Sequence, residues 1–143
     1  MIRSADIKDI PRIEALINEN LDKLLPRETG EIEQIINSFY VYELDGDIQG
    51  CCCLEVYSKK IAEIRTVAVR SSYRNRGIGS ELIQHALEEG KRRNIYEIMV
   101  VTSSLDFFAG LGFSTCMNEK YAMFWSEHNK TRDSKADEPE KKS

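Results

Sequence analysis

Residues 61–93, "IAEIRTVAVRSSYRNRGIGSELIQHALEEGKRR", constrain the fold more tightly than any other part of the chain. "AEIRTVAVR" is rich in β-branched residues and reads as a strand. Ile78, Leu82, Ile83, Ala86 and Leu87 form one apolar stripe at helical spacing. Between strand and helix stand Arg74-Asn75-Arg76-Gly77-Ile78-Gly79, with two arginines and two glycines in six residues. The first N–H groups of a helix have no intrahelical partners, and the helix dipole favours negative charge there. Gly77 and Gly79 allow unusual backbone angles and keep side chains out of a ligand's way. Arg74 and Arg76 add charge suited to a diphosphate. Two familiar phosphate loops fail. Ser80-Glu81 stands where a Walker loop needs Lys-Ser/Thr, and Leu82 stands where GxGxxG needs its last glycine. On these residues alone, a surface turn with solvated arginines stays open.

The rest of the chain supplies a layered mixture of strands and helices. "DIKDIPRIEALINENLDKLL" carries apolar residues at 10, 13, 16, 17, 21, 24 and 25, which predicts a helix. Asp6 and Asp9 are its expected caps, Pro11 sits near its first turn, and Pro26 ends it. "ETGEIEQIINSF" suggests a second, shorter helix. "YVYELDGDIQGCCCLEVYS" reads as two strands joined at Asp45-Gly46. Beyond the long helix, "YEIMVVTS" reads as a strand, "SLDFFAGLGF" as a short helix ending at Gly112, and "KYAMFW" as a last strand. The order β-α-α-β-β-β-α-β-α-β argues for one α/β (α+β) structure with a mixed sheet and against a doubly wound parallel sheet.

Charge and composition remove several classes. The net charge is -4, and the last fifteen residues carry +1, which leaves -5 on residues 1–128. Such a body is a poor general binder of nucleic acid or anionic membrane. No apolar run reaches the ~20 residues of a membrane span, and the N-terminus lacks the features of a signal peptide. A cytoplasmic protein is expected. Residues 129–143 have almost no apolar side chains and read as a polar, disordered tail behind a domain at 1–128. Cys51, Cys52 and Cys53 are consecutive, so neighbours on a strand point to opposite faces, and with Cys116 they form no CxxC pair. They read as reduced core thiols, with a reactive or metal role as the alternative; no metal site is expected.

The pattern Arg/Gln-x-x-Gly-x-Gly/Ala, after a strand ending in "AV" and opening a long helix, is the acyl-CoA signature of the GNAT superfamily of N-acetyltransferases. "TVAVRSSYRNRGIGSELIQHALEEGKRRN" resembles it throughout, and "LDFFAGLGF" is similar to that family's "FYxxxGF" element. The resemblance implies the GNAT fold, a central, mostly antiparallel mixed sheet flanked by helices, with acetyl-CoA as co-substrate. Its diphosphate would lie on the N–H groups of Arg74, Asn75, Arg76, Gly77, Ile78, Gly79 and Ser80. Its pantetheine would pair with Val67, Ala68 and Val69, where family members splay their sheet. Phe107 belongs to the same expected cofactor set. Many GNAT proteins are dimers, so a homodimer is allowed by analogy.

Direct acetyl transfer needs a neutral amine, hence a base. Glu63 is the first choice and Glu55 the reserve; a cross-strand ion pair is the alternative for Glu63. If the strand is regular, Glu63, Arg65, Val67 and Val69 share one face. The family's "FYxxxGF" tyrosine, often the acid for the departing thiolate, is replaced by Phe108. Tyr121, a water or unassisted departure stand in. The chain looks closest to the acetyltransferase domain of N-acetylglutamate synthases and to single-domain amino-acid N-acetyltransferases. That likeness points to Arg27, after Leu25-Pro26, as a partner for a carboxylate of an acidic amino acid such as glutamate, and Arg65, beside the expected base, is the candidate for the second carboxylate. The alternatives are a solvated Arg27 and an Arg65 paired with Glu63 or another acid. A protein N-terminus, a lysine or a polyamine as acceptor, and a non-catalytic acyl-CoA-binding module, remain the competing readings.

Overall fold

The computed structural model describes residues 1–22, 24–115 and 123–127. Among these, five strands form one sheet in the order β1-β2-β3-β4-β5. They are β1 (Ile2–Ser4), β2 (Phe39–Leu44), β3 (Asp47–Val56), β4 (Ile61–Val69) and β5 (Glu97–Met99). The first three pairings are antiparallel, and β4 with β5 is parallel. The helices are α1 (Ile10–Asn18), α2 (Thr29–Gln34), α3 (Ile78–Arg92) and α4 (Leu105–Ala109). The expected element order is met as far as α4. Of the expected last strand, residues 120–122 lie outside the described residues, and Met123–Trp125 adopt no strand. The expected tail, residues 129–143, and Cys116 also lie outside them.

Two apolar layers sandwich the sheet, as strand alternation requires. Ile13, Leu16 and Ile17 of α1 and Ile32 of α2 pack on Phe39, Val41, Cys51 and Cys53. Leu82, Ile83 and Ala86 of α3 pack on Tyr40, Cys52, Leu54, Ala62 and Ile64. The α3 stripe read from the sequence is therefore the face that binds the sheet. Gly50 lets α3 sit close, since a Cβ there would stand 2.9 Å from Ile78 Cγ2. The consecutive cysteines divide between the layers and all three are free and buried. Burial pushes the thiols of Cys51 and Cys53 up to about 12, which keeps them protonated and inert.

Helix α1 is shorter than its periodicity predicts. Asp6 caps the preceding turn by accepting from Lys8 N–H at 3.0 Å, and the Asp9 carboxylate accepts from Asp6 N–H, with Pro11 in the first turn. The helix stops at Asn18, well before Pro26. Buried Asn20 ends it by donating its amide to the Leu16 carbonyl at 2.7 Å and accepting from Arg74 at 2.8 Å. Leu21 and Leu25, counted into the apolar stripe, are exposed.

Strand β4 is not regular. Cys53 pairs with Arg65 and Cys51 with Ala68, so Thr66 and Val67 together oppose Cys52. Thr66 takes φ 57°, in the left-handed region, at a cost of about 1–3 kcal/mol for an ordered L-residue. This bulge changes the face of everything after it. Ala62 and Ile64 point to the α3 layer before it; Val67 and Val69 point there after it, while Ala68 enters the α1 layer. The expectation that Glu63, Arg65, Val67 and Val69 share one face is thereby corrected. Glu63 and Arg65 lie on the α1 side and the two valines on the α3 side.

Candidate active site

Strand β5 pairs with β4 only at Ile61, Ala62 and Glu63. The sequence suggested a strand through Ser103, but regular pairing ends at Met99. From Ile64 to Val69 the outer edge of β4 has no strand partner among the described residues. Unpaired N–H and C=O groups along such an edge are available to an extended amide-bearing ligand. Val67, Ala68 and Val69 occupy this stretch.

Immediately beyond lies the N-terminus of α3. Gly77 is its N-cap in the left-handed conformation, φ 85°, and Asn75 precedes it at φ 64°. Arg74 through Gly77 are exposed, and Ile78, Gly79 and Ser80 form the first turn, whose N–H groups helix geometry leaves without intrahelical partners. A Cβ placed on Gly77 would meet nothing within 4 Å, so the space ahead of these donors is open. Fifteen residues of helix stand behind them. The arrangement fits a diphosphate. The two arginines differ in use. The Arg74 guanidinium turns back to Asn20 and toward the Val69 carbonyl, tying the turn to the end of α1. Arg76 lies over the Tyr73 ring at 4.5 Å, with its guanidinium 3.4 Å from the Ser72 carbonyl. Phe107 is half-exposed on α4, and Phe108 is wedged edge-on against Phe107 and Phe113.

At the other end of β4, four charged side chains converge. Glu55 and Glu63 are cross-strand partners. Arg27 donates to Glu55 Oε1 at 3.3 Å, and Arg65 contacts Glu55 Oε1 and Oε2 at 3.2 and 3.3 Å. The Arg27 side chain is only 9% exposed, which rules out a solvated loop arginine. Arg65 pairs with Glu55, leaving Glu63 without a salt bridge among the described residues. Glu63 instead accepts the Tyr57 hydroxyl proton at 2.7 Å. Neither Tyr57 nor the sharing of Glu55 by two arginines is readable from the sequence. Cross-strand register would have paired Glu55 with Glu63, but no local signal marks Tyr57, which follows β3 directly. Tyr121, the expected stand-in acid, lies outside the described residues. No helix among the described residues is long and apolar enough to cross a membrane.

Comparison with known proteins agrees with this arrangement. The Acetyltransferase (GNAT) family pattern matches residues 10–113. An uncharacterized N-acetyltransferase from Chlorobaculum tepidum is 33% identical over 120 residues, covering 83% of this chain and 76% of that protein. An amino-acid acetyltransferase from Mycobacterium tuberculosis is 30% identical over 118 residues, covering 80% of this chain and 68% of that one. Among solved structures, N-acetylglutamate synthase from Neisseria gonorrhoeae, complexed with coenzyme A and N-acetyl-glutamate, superposes with TM-score 0.76 at 30% identity. It matches over 82% of this chain but only 28% of its own length. The splayed sheet, the glycine-capped α3 and a family match across most of the described fold lead to one conclusion: the chain belongs to the GNAT acetyltransferase family and is an acetyl-CoA-dependent acyltransferase.

Proposed function

We propose that the acceptor is the α-amino group of a small amino acid bearing a carboxylate-rich end, glutamate being the first substrate to test. One observation carries this reading: Arg27 and Arg65, from separate parts of the chain, converge on a single carboxylate beside Glu63. Guanidinium groups held this way suit a second carboxylate, which they can bind through paired hydrogen bonds. The amino-acid acetyltransferases among the relatives support the same class.

Acetyl-CoA supplies an acyl group activated as a thioester. Within the proposal, the N–H groups of Arg74 to Ser80 bind its diphosphate, and Val67, Ala68 and Val69 hold its pantetheine arm along the open β4 edge. The Val67 N–H is the proposed donor to the thioester oxygen. Arg27 and Arg65 orient the acceptor, and Glu63 takes a proton from its ammonium so that a lone pair is free to attack. Phe108 has no proton to give, so departure of the thiolate draws on a water, on Tyr121 or on no acid. Phe107, half-exposed on α4, joins the proposed cofactor contacts.

The test is thiol release from acetyl-CoA with a panel of amines: glutamate, aspartate, glutamine, an N-terminal peptide, a lysine peptide and spermidine. Turnover concentrated on glutamate or its neighbours supports the proposal. Turnover only with peptides or the polyamine replaces it with a macromolecular or polyamine acceptor.

A further inference from the structure

We infer that Tyr57 is a positioning residue for the base: its hydroxyl fixes one oxygen of the Glu63 carboxylate and leaves the other free for the acceptor's ammonium. This rests on the assignment of Glu63 as the base.

The geometry is specific. Tyr57 follows β3 directly, and its N–H donates to the Ile61 carbonyl at 3.1 Å, so the hairpin between β3 and β4 anchors its backbone. Its hydroxyl stands 2.7 Å from Glu63 Oε1 and 3.2 Å from Glu55 Oε2. A phenol has one proton and can donate to only one of two carboxylates at a time. Glu55 already has two guanidinium partners, whereas Glu63 has no salt bridge among the described residues. The shorter distance and the unmet charge both direct the proton to Glu63. Partial burial, followed by the hydrogen bond to Glu63, pushes the Tyr57 hydroxyl up to about 12, so it remains a donor throughout the working pH range.

The groups that set the local field are Arg27 from the loop after α1, Cys53 and Glu55 from β3, and Glu63 and Arg65 from β4. The Cys53 thiol is protonated and neutral. Both guanidinium groups bond to Glu55, which leaves the Tyr57 phenol as the side-chain hydrogen-bond donor on Glu63 among the described residues. A partly exposed glutamate with no salt bridge among the described residues samples several rotamers. One short hydrogen bond restricts it, and a base held in place reacts more often in the productive geometry.

Tyr57→Phe removes the hydroxyl and leaves the ring. The test pairs two measurements on the full chain. In the first, the carboxyl carbons of 13C-labelled glutamates are compared by NMR at fixed neutral pH, with the Glu63 signal assigned by its loss in Glu63→Gln. The inference expects the Glu63 resonance to move in Tyr57→Phe, because the hydroxyl that donates to its Oε1 is gone. In the second, kcat and kcat/KM are measured with acetyl-CoA and the fastest amine of the panel above. About a tenfold to hundredfold fall in kcat is expected, with the KM for acetyl-CoA unchanged. An unmoved Glu63 resonance overturns the inference whatever the kinetics. A moved resonance with an unchanged kcat also overturns it, since the bond then positions nothing of consequence. If Glu63→Gln itself retains full kcat, the assignment of the base falls, and it is identified as the failing step by the NMR shift still being present.

Discussion

At the scale of single residues, the proposed acceptor end is built from side chains that satisfy one another before any substrate arrives. Glu55 holds Arg27 and Arg65 in place, so the guanidinium groups are ordered in advance and lose little freedom on binding a carboxylate. Arg27 is the more committed of the two because its side chain is nearly enclosed. Arg27→Lys keeps the charge but removes the planar fork. It should raise the KM for a carboxylate-bearing acceptor about tenfold or more, corresponding to roughly 1.5–3 kcal/mol for a charged hydrogen bond. Calorimetric affinity for acetyl-CoA should stay the same, because Arg27 is remote in sequence and fold from the α3 turn. Equal loss of both affinities would instead mean that Arg27 supports the fold as a whole.

At the scale of elements, the turn into α3 is the part whose job follows most directly from its shape. Gly77→Val would test it poorly, because a β-branched residue is strained at φ 85° whether or not a ligand is bound. Gly77→Asp is better. Aspartate tolerates the left-handed region, nothing within 4 Å obstructs its Cβ, and a carboxylate at a helix N-terminus is favourable. The melting temperature should therefore hold while acetyl-CoA affinity falls by about a hundredfold or more, as charge repels the diphosphate. Retained affinity would remove the diphosphate assignment. This element was legible in the sequence because glycines, a β-branched run and an apolar stripe are all local signals. Other elements were not. The end of α1 is set by Asn20 reaching Arg74 and Val69, far along the chain. The early end of β5 depends on where two strands diverge, and "YEIMVVTS" is apolar enough to have continued. The bulge in β4 falls on Thr66, a residue type that gives no hint of positive φ, so alternation was read straight through it. That is why Glu63 and Arg65 were placed on the same face as Val67 and Val69.

At the scale of the whole molecule, stability leans on a charged weld at the far edge of the sheet. Arg3 on β1 makes paired hydrogen bonds to Asp9, at 2.8 and 2.9 Å, and a third to Glu43 on β2 at 2.8 Å. The Arg3 guanidinium holds the nearly enclosed Asp9 carboxyl below its usual value. A depressed carboxyl stabilises the fold above its unfolded value, near pH 4, and that contribution is lost as pH falls through the lower, folded value. Asp9→Asn should cost about 2–3 kcal/mol near neutral pH by urea denaturation, and the difference from the parent should shrink on acidification below about pH 4. A difference independent of pH would mean that shape, not charge, is what Asp9 provides. The two core layers, the open β4 edge and the charged cluster all meet on β3 and β4, so the irregular step at Thr66 reaches both faces of the sheet. It works as a change of reading frame. Upstream, the odd-numbered Glu63 and Arg65 of β4 face the charged cluster and the even-numbered side chains serve packing against α3; downstream, the odd-numbered ones take over that packing. One inserted residue thus lets a single strand present the charged cluster on one side and keep the α3 seat sealed on the other, and deleting it would leave either that cluster or the helix seat facing the wrong layer.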